Sequence, residues 1–572
     1  MPHLIAYGNT ASNVRCVNTT YKSTIFRAAS APSHFALIMP SDILLLSVAA
    51  AAIAFVYIRN RHSRSPLANI RGPTPVSRWK GNLPQIFNIE GWDFPKYIFN
   101  EYGRVAKMTG LLGNEVLYVS DPRVVRRVLL NFPPPPMVTQ SHNLINGDGL
   151  LGTMGDQHKK QRKMLNPLFA PKHIKGFTNL FFDRAAKMNK TFLEGFGIQE
   201  KPRVLNMHYW SSRLTLELVS QTSFGRSLDP LDSEDSVHPY TVAVRSMLPA
   251  ALPLSVLRIT VPYLQYFGTK KFRRWLVHSL PWPALNTMGK VVDVIFNTAV
   301  STYEDKKNIN IDEDEDRKDV MSVLLKANKK VVAEDRLNEY EVVSQMGTLT
   351  AAANDTTPNA LSRMYWQLAR NPKVQEKLRT EILAADFDLE NSDPGQLYDQ
   401  LMALPYLDAV LRETMRLDSP VSMLQRRANV DATIPLWRPI VGVDGSEINT
   451  INVSKGTDFI LAVCNAHRDP EIWGNDVLEF RPERFIEALP ESFTDAGLPG
   501  VYFQTLPFGG GFKACIGYKY AELQMKVMLY SLLSSFRMEL TDDELVWNMH
   551  MVATPSIAGV KGSQLPIKLT AL

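Results

Sequence analysis

Leu506-Pro507-Phe508-Gly509-Gly510-Gly511-Phe512-Lys513-Ala514-Cys515-Ile516-Gly517 is a glycine-rich loop that delivers one cysteine to the start of a helix. The glycines let the backbone turn tightly and approach a flat ligand without Cβ clashes, and Gly517 keeps the far side of the sulfur open. The apolar run beginning near Tyr518 predicts a helix whose positive end lies close to Cys515. Backbone N–H groups can then point at the sulfur, which favours thiolate over thiol. Taken alone, a single cysteine in an apolar segment reads as a core residue and a glycine run as a loop. Spacing decides between the two readings.

Phe508, Gly511, Cys515 and Gly517 match the pattern Phe-x-x-Gly-x-Arg-x-Cys-x-Gly, and with it the chain resembles the cytochrome P-450 family. The resemblance implies haem b with Cys515 as the axial thiolate on iron, a ligand that pushes electron density onto the metal and favours O–O cleavage. The basic slot holds Lys513 in place of the usual Arg. Lysine can pair with a haem propionate, as a point charge and not as a fork.

Working outward, four further motifs follow the family's order. Gly155 to Lys163 enters a helix where the family has Trp-x-x-x-Arg, two residues on one helix face that reach the propionates. Arg162 fits, and His158 replaces the Trp. Lys159, Lys160 and Lys163 read as a solvated face where an acidic electron donor could dock. A long helix is predicted from Glu339 to Ala369, with Ala353-Asn354-Asp355-Thr356-Thr357-Pro358 standing for Ala-Gly-x-Asp/Glu-Thr-Thr and Ala353 in the glycine slot. Pro358 lacks an N–H and crowds the Asn354 carbonyl, so the helix is expected to bend or open there. In isolation this is a helix kink. The resemblance implies that Thr356 hydrogen-bonds oxygen held at the iron and that Asp355 relays protons.

Glu413 and Arg416 lie three apart on one helix face, an arrangement common on any surface helix. Phe480-Arg481-Pro482-Glu483-Arg484-Phe485 adds a later arginine, and the resemblance implies a buried Glu413–Arg416–Arg484 network behind the haem. By the same resemblance Pro420–Leu424 is a strand lining the substrate pocket and Arg426 a propionate ligand. Ala466-His467-Arg468-Asp469-Pro470 reads as structural, Cys464 as core, and Ala553–Ser556 as a last turn into the pocket. Phe132–Leu151, with Pro133–Pro136, Gly147 and Gly149, reads as an irregular loop over that pocket.

The composition is 45% hydrophobic and 21% charged with a formal net charge of +6, an ordinary globular balance that does not argue for nucleic acid. The three cysteines, Cys16, Cys464 and Cys515, show no Cys-x-x-Cys spacing, so neither a disulfide framework nor structural zinc is expected. Residues 35–58 are mostly apolar, with Arg59, Arg61, His62 and Arg64 immediately after. A run of about 20 apolar residues spans a bilayer, and the basic cluster predicts a cytosolic body. A cleaved signal peptide fits less well: the run starts late, contains Asp42 and lacks a small-residue cleavage site. Asn18-Thr19-Thr20 is a sequon usable on a lumenal tail, and Met39 offers an alternative start.

The expected organisation is a polar lumenal tail at 1–34, a transmembrane anchor at 35–58, a basic, proline-rich hinge at 59–78 and the haem-thiolate body at 79–572. The fold class is mainly α with a small β-rich region. The resemblance implies a single-pass protein of the endoplasmic reticulum membrane that inserts one oxygen atom from dioxygen into a lipophilic small molecule. Tyr518–Leu572 is too short for a flavin domain, so electrons are expected from a separate NADPH-dependent flavoprotein reductase, with cytochrome b5 as a further donor. Motifs and anchor look most like fungal enzymes of secondary metabolism, with a terpenoid as the leading substrate. Two rival readings are a thiolate-haem isomerase or dehydratase needing no reductase, and a non-enzymatic haem binder. The Asp355-Thr356 pair speaks against the first, and an anchor with a substrate-sized pocket against the second.

Overall fold

The computed structural model describes residues 65–572 apart from 196–201, 232–237, 252, 255–256, 258–259, 265, 308–317 and 550–551. The expected anchor at 35–58, the preceding tail with Asn18, and the acidic run Asp312–Asp316 lie outside the described residues. Among the described residues no helix is long and apolar enough to cross a membrane. Pro66–Leu572 form one compact unit. The segment expected as a hinge packs onto this unit from Leu67 onward: Leu67 and Ile70 are buried in the core of the small sheet, and the Lys107 N–H donates to the Arg71 carbonyl at 2.9 Å.

The helices that position the site are α1 (Pro136–Asn146), α2 (Gly155–Leu165), α3 (Met207–Val219), α4 (Pro239–Ala251), α5 (Glu339–Arg370), α6 (Pro405–Leu417) and α7 (Tyr518–Ser535). Helix α1 replaces the irregular loop expected over Phe132–Leu151. Pro136 occupies its first position, where the missing N–H costs nothing, and Gly147, at φ +75°, ends it. Of the prolines and glycines that suggested an irregular loop, Pro136 and Gly147 mark the start and stop of a helix.

Helix α5 runs unbroken through Pro358. A capping box opens it: Asn338 accepts from the Glu341 N–H at 2.9 Å, and Glu341 accepts from the Asn338 N–H at 3.0 Å. The Glu341 carboxylate also accepts from Gln157 and Gln161 of α2, which ties the basic helix to the start of the long one. The main core gathers the second half of α5 (Leu361, Met364, Leu368), α6 (Leu407, Leu411) and α7 (Leu523, Leu529, Leu533).

The small β-rich region includes a sheet of β1 (Val105–Thr109), β2 (Glu115–Val119), β3 (Met423–Arg427) and β4 (Asp458–Ala462). The order is β1-β2-β4-β3, with β2 and β4 parallel and the other pairs antiparallel. β-branched and aromatic residues such as Val116, Tyr118, Phe459 and Ile460 suit β2 and β4, which are buried on both faces. Arg426 stands opposite Phe459, so a strand delivers it into the interior.

Candidate active site

The cysteine loop is held by its own backbone. Gly509 N–H donates to the Leu506 carbonyl and Cys515 N–H to the Phe508 carbonyl, both at 2.9 Å. Gly511 has φ +68°, and a Cβ there would fall 2.6 Å from the Leu129 carbonyl oxygen, so this position requires glycine. Phe508 packs edge-on against Tyr502 with ring centroids 5.2 Å apart. Helix α7 starts at Tyr518, and the Gly517 N–H points at the Cys515 sulfur. Cys515 lies deep in the protein yet keeps accessible surface, as does Ala352 in the middle of α5. Such surface inside a folded body faces an internal cavity.

The expectation that the helix end by itself favours thiolate is not met. Burial pushes the Cys515 thiol up, outweighing the Gly517 N–H and Arg162. A thiolate here needs a cation on the sulfur, which a metal supplies.

Four basic residues converge beside the loop. Arg162 donates to the Ala514 carbonyl at 2.7 Å, one residue from the cysteine. Lys513 donates to the carbonyls of Leu150 at 3.2 Å and Thr153 at 2.8 Å, leaving one of its N–H groups over. Among the described residues Arg426 reaches only its neighbour's carbonyl, at Gln425, and its buried Nε has no partner. The His158 ring is buried edge-on to Phe512 and bonds no described residue. Burial and the charges of Arg426 and Arg162 hold Lys513 down at about 8, and burial brings Arg426 to about 10. Burial, with Lys513 and Arg162, brings His158 to about 4, so this imidazole is neutral. Among the described residues no carboxylate pairs with Arg162, Arg426 or Lys513. Buried cations without a counter-charge cost several kcal/mol, which is the chemistry of a site built for an anion.

Behind the loop, Glu413 and Arg416 of α6 are fully buried. Arg416 grips Glu413 with two hydrogen bonds of 2.7 and 2.8 Å and spends its third nitrogen on the carbonyls of His467 and Val477. Arg484 reaches Glu413 only at 3.4 Å and is held chiefly by Asp476 and the Trp473 carbonyl, each at 2.9 Å. Two residues that spacing did not reveal, Asp476 and His467, are thus part of this network. Neither stands at a helical or strand interval from its partners, so no periodic signal marks them.

Asp355 and Thr356 sit on α5 one turn beyond Ala352. Thr356 donates to the Ala352 carbonyl at 2.8 Å. The Asp355 carboxyl accepts from Asn354 at 2.9 Å, while Asn359 donates to the Asp355 carbonyl at 2.5 Å. Burial raises the Asp355 carboxyl to about 6. Asn354 also donates to the Val244 carbonyl of α4, fixing this turn against a second helix. Ala351 on α5 and Ile516 beside the cysteine border the same apolar core, so both halves of the site face one region.

The fold is a mainly helical domain in which basic side chains gather beside the loop of an inward-facing cysteine. The family profile described as Cytochrome P450 matches residues 71–558. Cytochrome P450 monooxygenase 91 of Postia placenta is 38% identical over 518 residues, covering 88% of this chain and 94% of that one. Cytochrome P450 monooxygenase 81 of the same species is 38% identical over 532 residues, covering 91% and 96%. A ganoderic acid synthetase of Ganoderma lucidum is 34% identical over 531 residues, covering 90% and 96%. The chain belongs to the cytochrome P450 family.

It is therefore a haem-thiolate monooxygenase with a lipophilic substrate, driven by electrons that a reductase draws from NADPH. The residues present fit the haem: its carboxylates would meet the basic side chains beside the loop, and the inward-facing Cys515 sulfur would bind its iron.

Proposed function

We propose that Cys515 is the axial ligand and that Arg162, Arg426, Lys513 and His158 hold the propionates, Phe508 and Gly511 shaping the loop. The observation that carries this is the convergence of buried cations without carboxylate partners on the loop of an inward-facing cysteine. When bound, the haem supplies dioxygen activation. The protein's own residues do the rest. Thr356, whose hydroxyl is parked on the Ala352 carbonyl, can turn it toward the cavity, and Asp355, raised to about 6, can hold or pass a proton near neutral pH. Partly accessible Ile145, Phe296, Leu349 and Ala351 offer an apolar lining that orients the substrate and limits water. Glu413, Arg416 and Arg484 hold the loop from behind.

The product class in this reading is a lipophilic metabolite hydroxylated or epoxidised at one carbon, in fungal secondary metabolism. The relative named for ganoderic acid supports a terpenoid. A location at the endoplasmic reticulum membrane, body in the cytosol, is supported by the apolar run at 35–58 and, independently, by exposed aromatics Tyr263, Tyr266, Phe267 and Trp275 beside Lys271 and Arg274. Cytochrome b5 is a second donor consistent with that address.

The test is an optical titration of the ferric protein with sesquiterpenes, diterpenes, fatty acids and aromatics, followed by turnover of the binders with reductase and NADPH. A Soret shift to high spin with terpenoids, and oxygenated product matched to NADPH consumed, is expected. Product formation without NADPH would overturn the monooxygenase reading, and conversion only of polar amino-acid-derived compounds would overturn the terpenoid.

A further inference from the structure

His467 is fully buried, and its ring has so far been given no part in the cysteine loop. Its ring touches two polar atoms. The Leu506 N–H donates to Nε2 at 2.9 Å, and Nδ1 lies 3.0 Å from the Arg416 carbonyl oxygen. A backbone N–H can only donate, so Nε2 carries the lone pair and Nδ1 carries the proton, which goes to Arg416. Arg416 returns a bond, Nη1 to the His467 carbonyl at 2.7 Å. Burial and the Arg416 charge bring the imidazole to about 3, so this tautomer is neutral across the working range.

Leu506 is where the chain enters the cysteine loop. The acceptor of its N–H is a side chain, and no strand or helix holds it there. From that point the bonds run on, Gly509 N–H to the Leu506 carbonyl and Cys515 N–H to the Phe508 carbonyl. We infer that His467 is a positioning residue that couples the Glu413–Arg416 pair to the cysteine loop and so sets the aim of the Cys515 sulfur. This rests on Cys515 being the ligand. Without the acceptor, the buried Leu506 N–H is left unsatisfied and the loop opens more readily.

The test compares His467→Gln, which keeps an acceptor at the reach of Nε2, with His467→Met, which has similar bulk and no good acceptor, and with His467→Asn, which keeps only the donor end. The readouts are the ferrous–CO Soret band, which reports thiolate against thiol ligation, and transfer of haem to an apoglobin scavenger. His467→Gln is expected to match wild type, whereas His467→Met and His467→Asn shift CO-bound protein to the thiol form and lose haem about tenfold faster. Failure of Met and Asn to load haem while Gln loads it counts the same way. Equal behaviour of Gln and Met, whether both sound or both impaired, overturns the proposal. Cys515→Ser run alongside separates the two claims: loss of the thiolate band there keeps the ligand reading whatever His467 shows, and its persistence sinks both.

Discussion

Burial changes the acid–base chemistry of Asp355. Its raised pKa means that the folded state holds a proton the unfolded chain has released. The contribution to stability is complete below about pH 4, the ordinary carboxylate value, and is lost as pH rises through about 6. Asp355→Asn is therefore expected to unfold at higher denaturant than wild type at pH 8 and at the same denaturant at pH 4, the gain being at most about 3 kcal/mol. The same variant is expected to lose about a hundredfold in kcat with an unchanged substrate-induced Soret shift, since a proton relay acts in turnover and not in binding. Gly511→Ala forces a Cβ toward the Leu129 carbonyl at a positive φ, so haem content after purification should fall sharply.

At the scale of elements, α6 carries a buried charge pair, and the His467 ring links it to the start of the cysteine loop. Glu413→Ala would strand Arg416, fully buried, at a cost of about 3–5 kcal/mol. Apo or aggregated protein is the expected product, read by the ratio of Soret to protein absorbance; a stable, haem-loaded Glu413→Ala would refute the role given to the network. The sequence made the Glu413–Arg416 pair legible through its three-residue spacing. It could not show that Arg484 leans mainly on Asp476, because that geometry depends on how a non-periodic loop packs behind α6. Likewise the prolines before α1 looked like loop residues, since the physics that breaks a helix in its interior is harmless at its first turn.

Over the whole molecule, ligand and fold are coupled. Arg426 is buried and Arg162 and Lys513 are half-buried, and among the described residues none of them has a carboxylate partner, so haem-free protein is expected to unfold at clearly lower denaturant than holoprotein. Lys513→Met should narrow that gap from both sides, stabilising the apo form and speeding haem release from the holo form; a widened gap would remove Lys513 from the propionate site. The aromatic and basic surface around Tyr263–Trp275 leads to a second expectation. Replacing Tyr266 and Trp275 by serine should weaken binding of the protein to anionic vesicles, measured by co-flotation, while leaving the Soret spectrum unchanged.

Local chemistry was written in the chain. The glycines and cysteine between Leu506 and Gly517, the Asp355-Thr356 pair before Pro358, and the Glu413–Arg416 interval each depend on neighbours a few residues away, so sequence alone identified the family, the helical character and the cofactor. Tertiary structure decided what lies between distant segments. It brought Arg162, Arg426 and Lys513 together with no carboxylate partner among the described residues, set the Cys515 thiol high by burial, and placed His467 between Arg416 and Leu506. Burial and partnership are properties of packing, and packing joins residues whose separation along the chain carries no period.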